Sequence, residues 1–138
     1  MHNFEVMDHT ADLGLIARGR DLKEAFAGMA YGMFSQIAGL DNVAETESRT
    51  VEVSAPDREA LLVEWLNELL YLLDAEGLLL KRFDIQELSD THLRAVVRGE
   101  KADPKKHELK MAIKAATYHM LKIEQTGDGF RAQVIFDI

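Results

Sequence analysis

Cysteine is absent from this chain, and that absence removes disulfide staples, thiolate metal ligands, zinc-finger chemistry and a cysteine nucleophile together. Also missing are a glycine-rich phosphate loop, a nucleophile-elbow serine and a His-Asp dyad of the metal-phosphohydrolase kind. Cations are scarce: 16 Lys and Arg stand against 24 Asp and Glu, for a net charge of −8. Such a surface repels phosphates, so strong independent binding of nucleic acid is not expected. Lys105-Lys106 is the one basic loop cluster worth noting, and it reads as solvated loop. Long apolar runs are lacking as well. Glu64, Asn67 and Glu68 interrupt the longest too early for a membrane span, and no basic flank leads into an apolar stretch at the start. The expectation is a cytoplasmic protein with no membrane partner, whose acidity suits a basic protein or a cation.

What is present suits a folded domain. Of 138 residues 47% are apolar, enough for one core without staples. Residues 4–7 and 13–20 alternate as strands, the second stopped by Asp21. Asp21 and Glu24 have capping-box spacing, and Leu22, Ala25, Phe26, Met29, Met33 and Ile37 recur at helical intervals, predicting a helix over 22–38. Its Met and Phe stripe reads as core. Residues 50–55 follow as a strand. Pro56-Asp57 opens a second helix, ended by Gly77, in which only Glu64, Asn67, Glu68 and Ala75 form a polar stripe, read as a solvated face. A hairpin of 78–88 and 93–98 turns at Ser89-Asp90, and 102–107 is a loop with His107 on its surface. The predicted fold class is α+β: a single two-layer domain over 1–138, with about two helices packed on one face of a largely antiparallel sheet.

A last hairpin joins 114–125 to 130–138, and a tight turn at Gly127-Asp128 fixes its register. Glu124 then faces Arg131, Lys122 faces Gln133, Tyr118 faces Asp137 and His119 faces Phe136 on the apolar side. His119 reads first as a hydrogen-bonded core histidine and second as a group that shapes a site. Asp137, beside the last residue Ile138, places two anionic groups together, and they need a partner.

Asp8-His9-Thr10-Ala11-Asp12-Leu13-Gly14 concentrates three ionisable side chains between two strands. Two carboxylates and an imidazole can hold a cation or move a proton, whereas Asp and Thr also serve as plain turn residues; spacing alone favours the turn. One alternative function is a metal-dependent phosphohydrolase or nuclease using Asp8, Asp12 and Asp137 with His9 as acid or base.

Four ordered blocks shift that balance. Phe4-Glu5 with Asp8 to Gly14, then Glu64-Trp65-Leu66-Asn67-Glu68-Leu69-Leu70-Tyr71, then Lys114-Ala115-Ala116-Thr117-Tyr118-His119, and finally Val134-Ile135-Phe136-Asp137-Ile138 resemble the archease family over nearly the whole chain. Ala116 and Phe136 depart slightly from the family pattern. The resemblance implies a non-enzymatic activator of the RtcB-type tRNA-splicing ligase, which promotes guanylylation and turnover and broadens nucleotide use. It also implies a metal site of Asp12, Asp137 and Ile138. That donor set is all oxygen, which suits Ca²⁺, with Mg²⁺ or Mn²⁺ as substitutes, over zinc or copper. Asp8, His9, Tyr118 and His119 are then expected to support the ligands or face the partner.

Overall fold

The computed structural model describes residues 2–7 and 12–138. In chain order it contains β1 (Asn3–Met7), β2 (Leu13–Gly19), α1 (Leu22–Ile37), β3 (Glu47–Ser54), α2 (Arg58–Glu76), β4 (Leu78–Leu88), β5 (His92–Lys101), β6 (Ala115–Ala116), β7 (Lys122–Thr126) and β8 (Gly129–Asp137). The α+β expectation holds, with the strands divided between two antiparallel sheets. One has the order β1-β2-β8-β6, with β7 also paired to β8; the other has the order β3-β5-β4.

Helix α1 explains how two sheets share one core. It is buried on nearly every side, including Ala25, Gly28, Met29, Gly32 and Met33, and it packs against β2 and β8 of one sheet and β4 of the other. Its start follows the sequence. The Asp21 carboxylate accepts the Glu24 N–H at 2.8 Å, while the Glu24 carboxylate accepts the Arg20 N–H at 3.2 Å, one residue before the cap of a standard box. Helix α2 is capped by Asp57, which accepts the Ala60 N–H at 2.8 Å, and closes at Gly77 in the left-handed region at φ 69°. Trp65 joins the helices: its indole N–H donates to the Phe26 carbonyl at 3.1 Å, and its ring meets Phe83 edge-on at 6.3 Å.

Three expectations are corrected. Strand β3 begins at Glu47, three residues before the alternation of valines shows it, because its polar side chains face water at a sheet edge. His107 is not a surface residue: it is 4% exposed, its Nδ1 accepts the Asp103 N–H at 2.9 Å, and its Nε2 lies 3.1 Å from Glu100 Oε2. The loop folds back onto β5, where the imidazole and Lys106 both meet Glu100, and the bond to Asp103 braces the loop itself.

The third correction concerns the last hairpin. Lys122 faces Gln133 and Glu124 faces Arg131 as expected, but β6 pairs Ala115 with Asp137 and Ala116 with Phe136, three residues out of step with β7. The slip absorbs Tyr118, His119 and Met120. Local hydrogen bonds sustain it: the Thr117 N–H and hydroxyl both donate to the Ile135 carbonyl, at 3.1 and 2.7 Å, and the Gln133 amide donates to the Met120 carbonyl at 2.9 Å. Met120 takes φ 53° to complete the turn. Tyr118 and His119 therefore do not face Asp137 and Phe136; both are exposed, and His119 is no core histidine.

Candidate functional site: a carboxylate end on the central strands

Strands β2 and β8 pair from Gly19 opposite Phe130 down to Leu13 opposite Phe136. The next residue on each chain is an aspartate, Asp12 on one and Asp137 on the other. Leu13 and Phe136 are buried at 6% and 0%, so apolar packing below fixes the strands while the carboxylates follow at their rim. Asp137 is exposed, and among the described residues its carboxylate takes no ion pair or hydrogen bond. Its carbonyl accepts the Lys114 N–H at 2.8 Å. Ile138, next in the chain, is 46% exposed.

The outer side of this sheet is also packed near the rim. Ile16 and Ile135 are buried at 7% and 1% although they face away from α1. Gly14 permits this. A Cβ there would meet Met7 Cβ at 3.0 Å and Ile135 Cδ1 at 3.1 Å, so any larger residue would crowd Met7 where it lies across the strand pair. The motif glycine thus belongs to packing behind the carboxylates.

Of the expected site residues, Asp12, Asp137 and Ile138 come to one end of the sheet, and Tyr118 and His119 lie in the slipped segment between β6 and β7. Asp8 and His9 lie outside the described residues. No group of three or more His, Cys, Asp or Glu side chains is gathered as a metal cluster among the described residues. Exposed apolar groups accompany the carboxylates on neighbouring segments: Val6 at 52%, Tyr118 at 61% and Met120 at 51%.

Sequence reasoning missed Asn67. Its place on the polar helix stripe predicts solvent, yet its Oδ1 accepts the Ala116 N–H at 2.8 Å and its Nδ2 donates to the Ala116 carbonyl at 3.3 Å. Glu64, on the same stripe, is exposed as expected. The only signal in the sequence was an amide among carboxylates on an otherwise apolar helix.

This geometry defines an α+β protein that presents carboxylates at the end of a two-stranded spine. Residues 4–138 match the family described as "Archease protein family (MTH1598/TM1083)". Protein archease of Pyrococcus abyssi is 42% identical, with all of both chains covered, and that of Methanosarcina acetivorans is 39% identical over 98% of this chain and 95% of its own. A solution structure of Methanobacterium thermoautotrophicum protein 1598 superposes with a TM-score of 0.83 at 38% identity, covering 98% of each chain. A Thermotoga maritima archease described as a possible chaperone has a TM-score of 0.68 at 24% identity, covering 96% of this chain and 94% of that one, and it attests the fold alone. The chain belongs to the archease family, which is named for no catalytic activity. No described helix is long and apolar enough to cross a membrane.

Proposed function

We propose that this protein activates an RtcB-type RNA ligase in the cytoplasm, promoting its guanylylation and repeated turnover and broadening the nucleotides it uses. The observation that carries this reading is the pairing of Leu13 with Phe136, which brings Asp12 and Asp137 to the same end of adjacent strands. With an oxygen of Ile138 they make an all-oxygen donor set, and the open Asp137 carboxylate fits a hard cation: Ca²⁺ first, Mg²⁺ or Mn²⁺ as substitutes. These residues supply fewer oxygens than Ca²⁺ normally takes, which leaves coordination positions for water or a partner's group.

Bound there, a divalent cation would supply positive charge at the rim of a protein with a net charge of −8. Asp12 and Asp137, so neutralised, no longer repel a phosphate-bearing pocket, and the exposed Val6, Tyr118 and Met120 give apolar contact beside them. Asp8, His9 and His119 take supporting or partner-facing roles in this reading. The covalent steps stay with the ligase.

Purified protein mixed with ligase, nucleotide and RNA tests it. Guanylylation rate and turnover number should rise with the wild-type chain and fail to rise with Asp137→Ala or Asp12→Ala. Steady hydrolysis of nucleotide or RNA by this protein alone, lost in Asp137→Ala, would replace the reading with a metal-dependent hydrolase.

A further inference from the structure

We propose that Asn67 is a positioning residue for the carboxylate end: its amide stands in for a strand beside β6 and so fixes the segment that grips Asp137. The inference rests on reading Asp12, Asp137 and Ile138 as a cation site.

Strand β6 is only two residues long. Two residues cannot hold a sheet edge by themselves, and residues 110–114, just before them, belong to no strand. One edge of β6 pairs with β8. On the other edge, both main-chain groups of Ala116 meet the Asn67 amide, the N–H at 2.8 Å and the carbonyl at 3.3 Å. A neighbouring strand would satisfy them in the same way. Ala116 is 5% exposed, so water is poorly placed to replace these bonds. Only an Asn or Gln side chain offers a donor and an acceptor side by side.

The anchor is firm. Asn67 projects from the middle of a helix capped at both ends, between Leu66 and Leu69, each 0% exposed. What it anchors continues directly into the site. The Lys114 N–H donates to the Asp137 carbonyl, and Ala115 pairs with Asp137. Beyond Ala116 the chain slips by three residues, so ladder pairing with β8 stops there until Lys122. Asn67 is thus the side-chain tie that holds Lys114, Ala115 and Ala116 in place on the side away from β8. Ligands drawn from two strands must keep their spacing, and that spacing depends on both flanks of Asp137.

The test compares Asn67→Ala and Asn67→Asp with Val97→Ala, a core variant in the other sheet. Aspartate keeps the acceptor for the Ala116 N–H but sets an oxygen against the Ala116 carbonyl. Amide hydrogen exchange at Lys114 and Ala116 and calorimetric titration with Ca²⁺ alone are measured on each full chain. Both Asn67 variants should exchange faster at these two amides than Val97→Ala does, and their Ca²⁺ affinity should fall by about tenfold while the core variant keeps its affinity. Affinity in both Asn67 variants within roughly twofold of wild type would reduce the residue to a structural tie. If the wild-type chain binds no Ca²⁺, the cation reading fails by itself and exchange alone decides: unchanged protection at Lys114 overturns the positioning role, and its loss sustains it.

Discussion

The three-stranded sheet and the rim of the five-stranded sheet treat their carboxylates in opposite ways, although elsewhere on the larger sheet Glu5 pairs with Arg18 and Glu124 with Arg131. Around the three-stranded sheet four acidic groups are answered: Glu45 bonds Arg82, Glu52 meets His92, Glu87 meets Arg94, and Glu100 accepts the Ala44 N–H and faces Lys106 and His107. The hydrogen bond from Arg82 holds Glu45 below the usual carboxylate range, and that from Arg94 does the same for Glu87. At the rim of the other sheet, the Asp137 carboxylate has no such partner among the described residues. A charge neutralised from within serves stability, while one left open costs little to remove from the fold and is available to a ligand.

Both regions rest on one core, and breaking that core should have the largest effect. Trp65→Ala is expected to cost about 3–5 kcal/mol, the usual range for truncating a fully buried aromatic. Urea denaturation measures the loss, and amide exchange should show protection falling in both sheets together. Trp65→Phe should recover most of it, losing only the indole N–H bond to the Phe26 carbonyl. Protection lost in one sheet alone would mean that the regions unfold separately, and the contrast would then concern two stabilities rather than two uses of charge.

Next comes the clamp on the three-stranded side. His107→Ala should cost roughly 2 kcal/mol, because it empties a buried position and takes a partner from both the Asp103 N–H and Glu100. Glu100 sets the pH dependence. The Ala44 N–H first, then Lys106 and His107, lower its pKa from an ordinary 4.5 to about 2. Its folded value lies below its unfolded one, so the stability it adds is complete above about 4.5 and is lost as pH falls toward 2. Acid titration of unfolding should therefore be flatter in Glu100→Gln than in wild type across that interval. An unchanged slope would remove the clamp from the list of answered charges.

Much of this arrangement is legible in the sequence. Asp21, Asp57 and Gly77 mark helix ends by their own chemistry, strand 78–88 is bounded as expected, and the turn at Gly127-Asp128 sets Lys122 opposite Gln133. Local periodicity stops being informative where side chains bond to distant backbone. The three-residue slip depends on Thr117, Gln133 and Asn67 reaching carbonyls and an N–H elsewhere, and His107 is buried by a loop folding back. The carboxylate end is a special case. Asp12 and Asp137 were singled out by resemblance, but what brings them together is β2 pairing with β8 across more than a hundred residues of intervening chain, which no local pattern encodes.

At the open rim, substitution should separate stability from binding. Asp137→Asn is expected to change stability without cation by no more than about 0.5 kcal/mol, as exposed substitutions usually do, and Asp12→Asn, at a half-buried position, is compared with it. The rise in melting temperature that Ca²⁺ should give the wild-type chain ought to shrink in both, since linkage scales with affinity. Thermal melts with Ca²⁺ and with chelator check this. If Asp12→Asn unfolds the chain without cation, that residue is a turn cap and the cation reading loses one of its two carboxylates.

The smallest effect belongs to the ion pairs on the water-facing side of the three-stranded sheet. Arg94 on β5 has Glu87 of β4 and Glu52 of β3 as its cross-strand neighbours, and it bonds Glu87 at 2.6 Å. These side chains remain 40% and 57% exposed, so water and salt weaken their attraction. Glu87→Gln should destabilise less than His107→Ala, and the difference from wild type should fade near 1 M salt, where the screening length is roughly 3 Å. The direction with pH follows from the bond to Arg94, which holds the Glu87 pKa below its ordinary 4.5. The benefit is present above that value and disappears on acidification. Denaturation at low and high salt, run beside Asp137→Asn, sharpens the comparison at its weakest point, since both are exposed carboxylates in the same chain. Glu87→Gln should lose a salt-sensitive increment of stability and leave Ca²⁺ affinity alone; Asp137→Asn should do the reverse. Identical responses would mean that exposure, rather than the presence or absence of a partner, governs what a carboxylate does here.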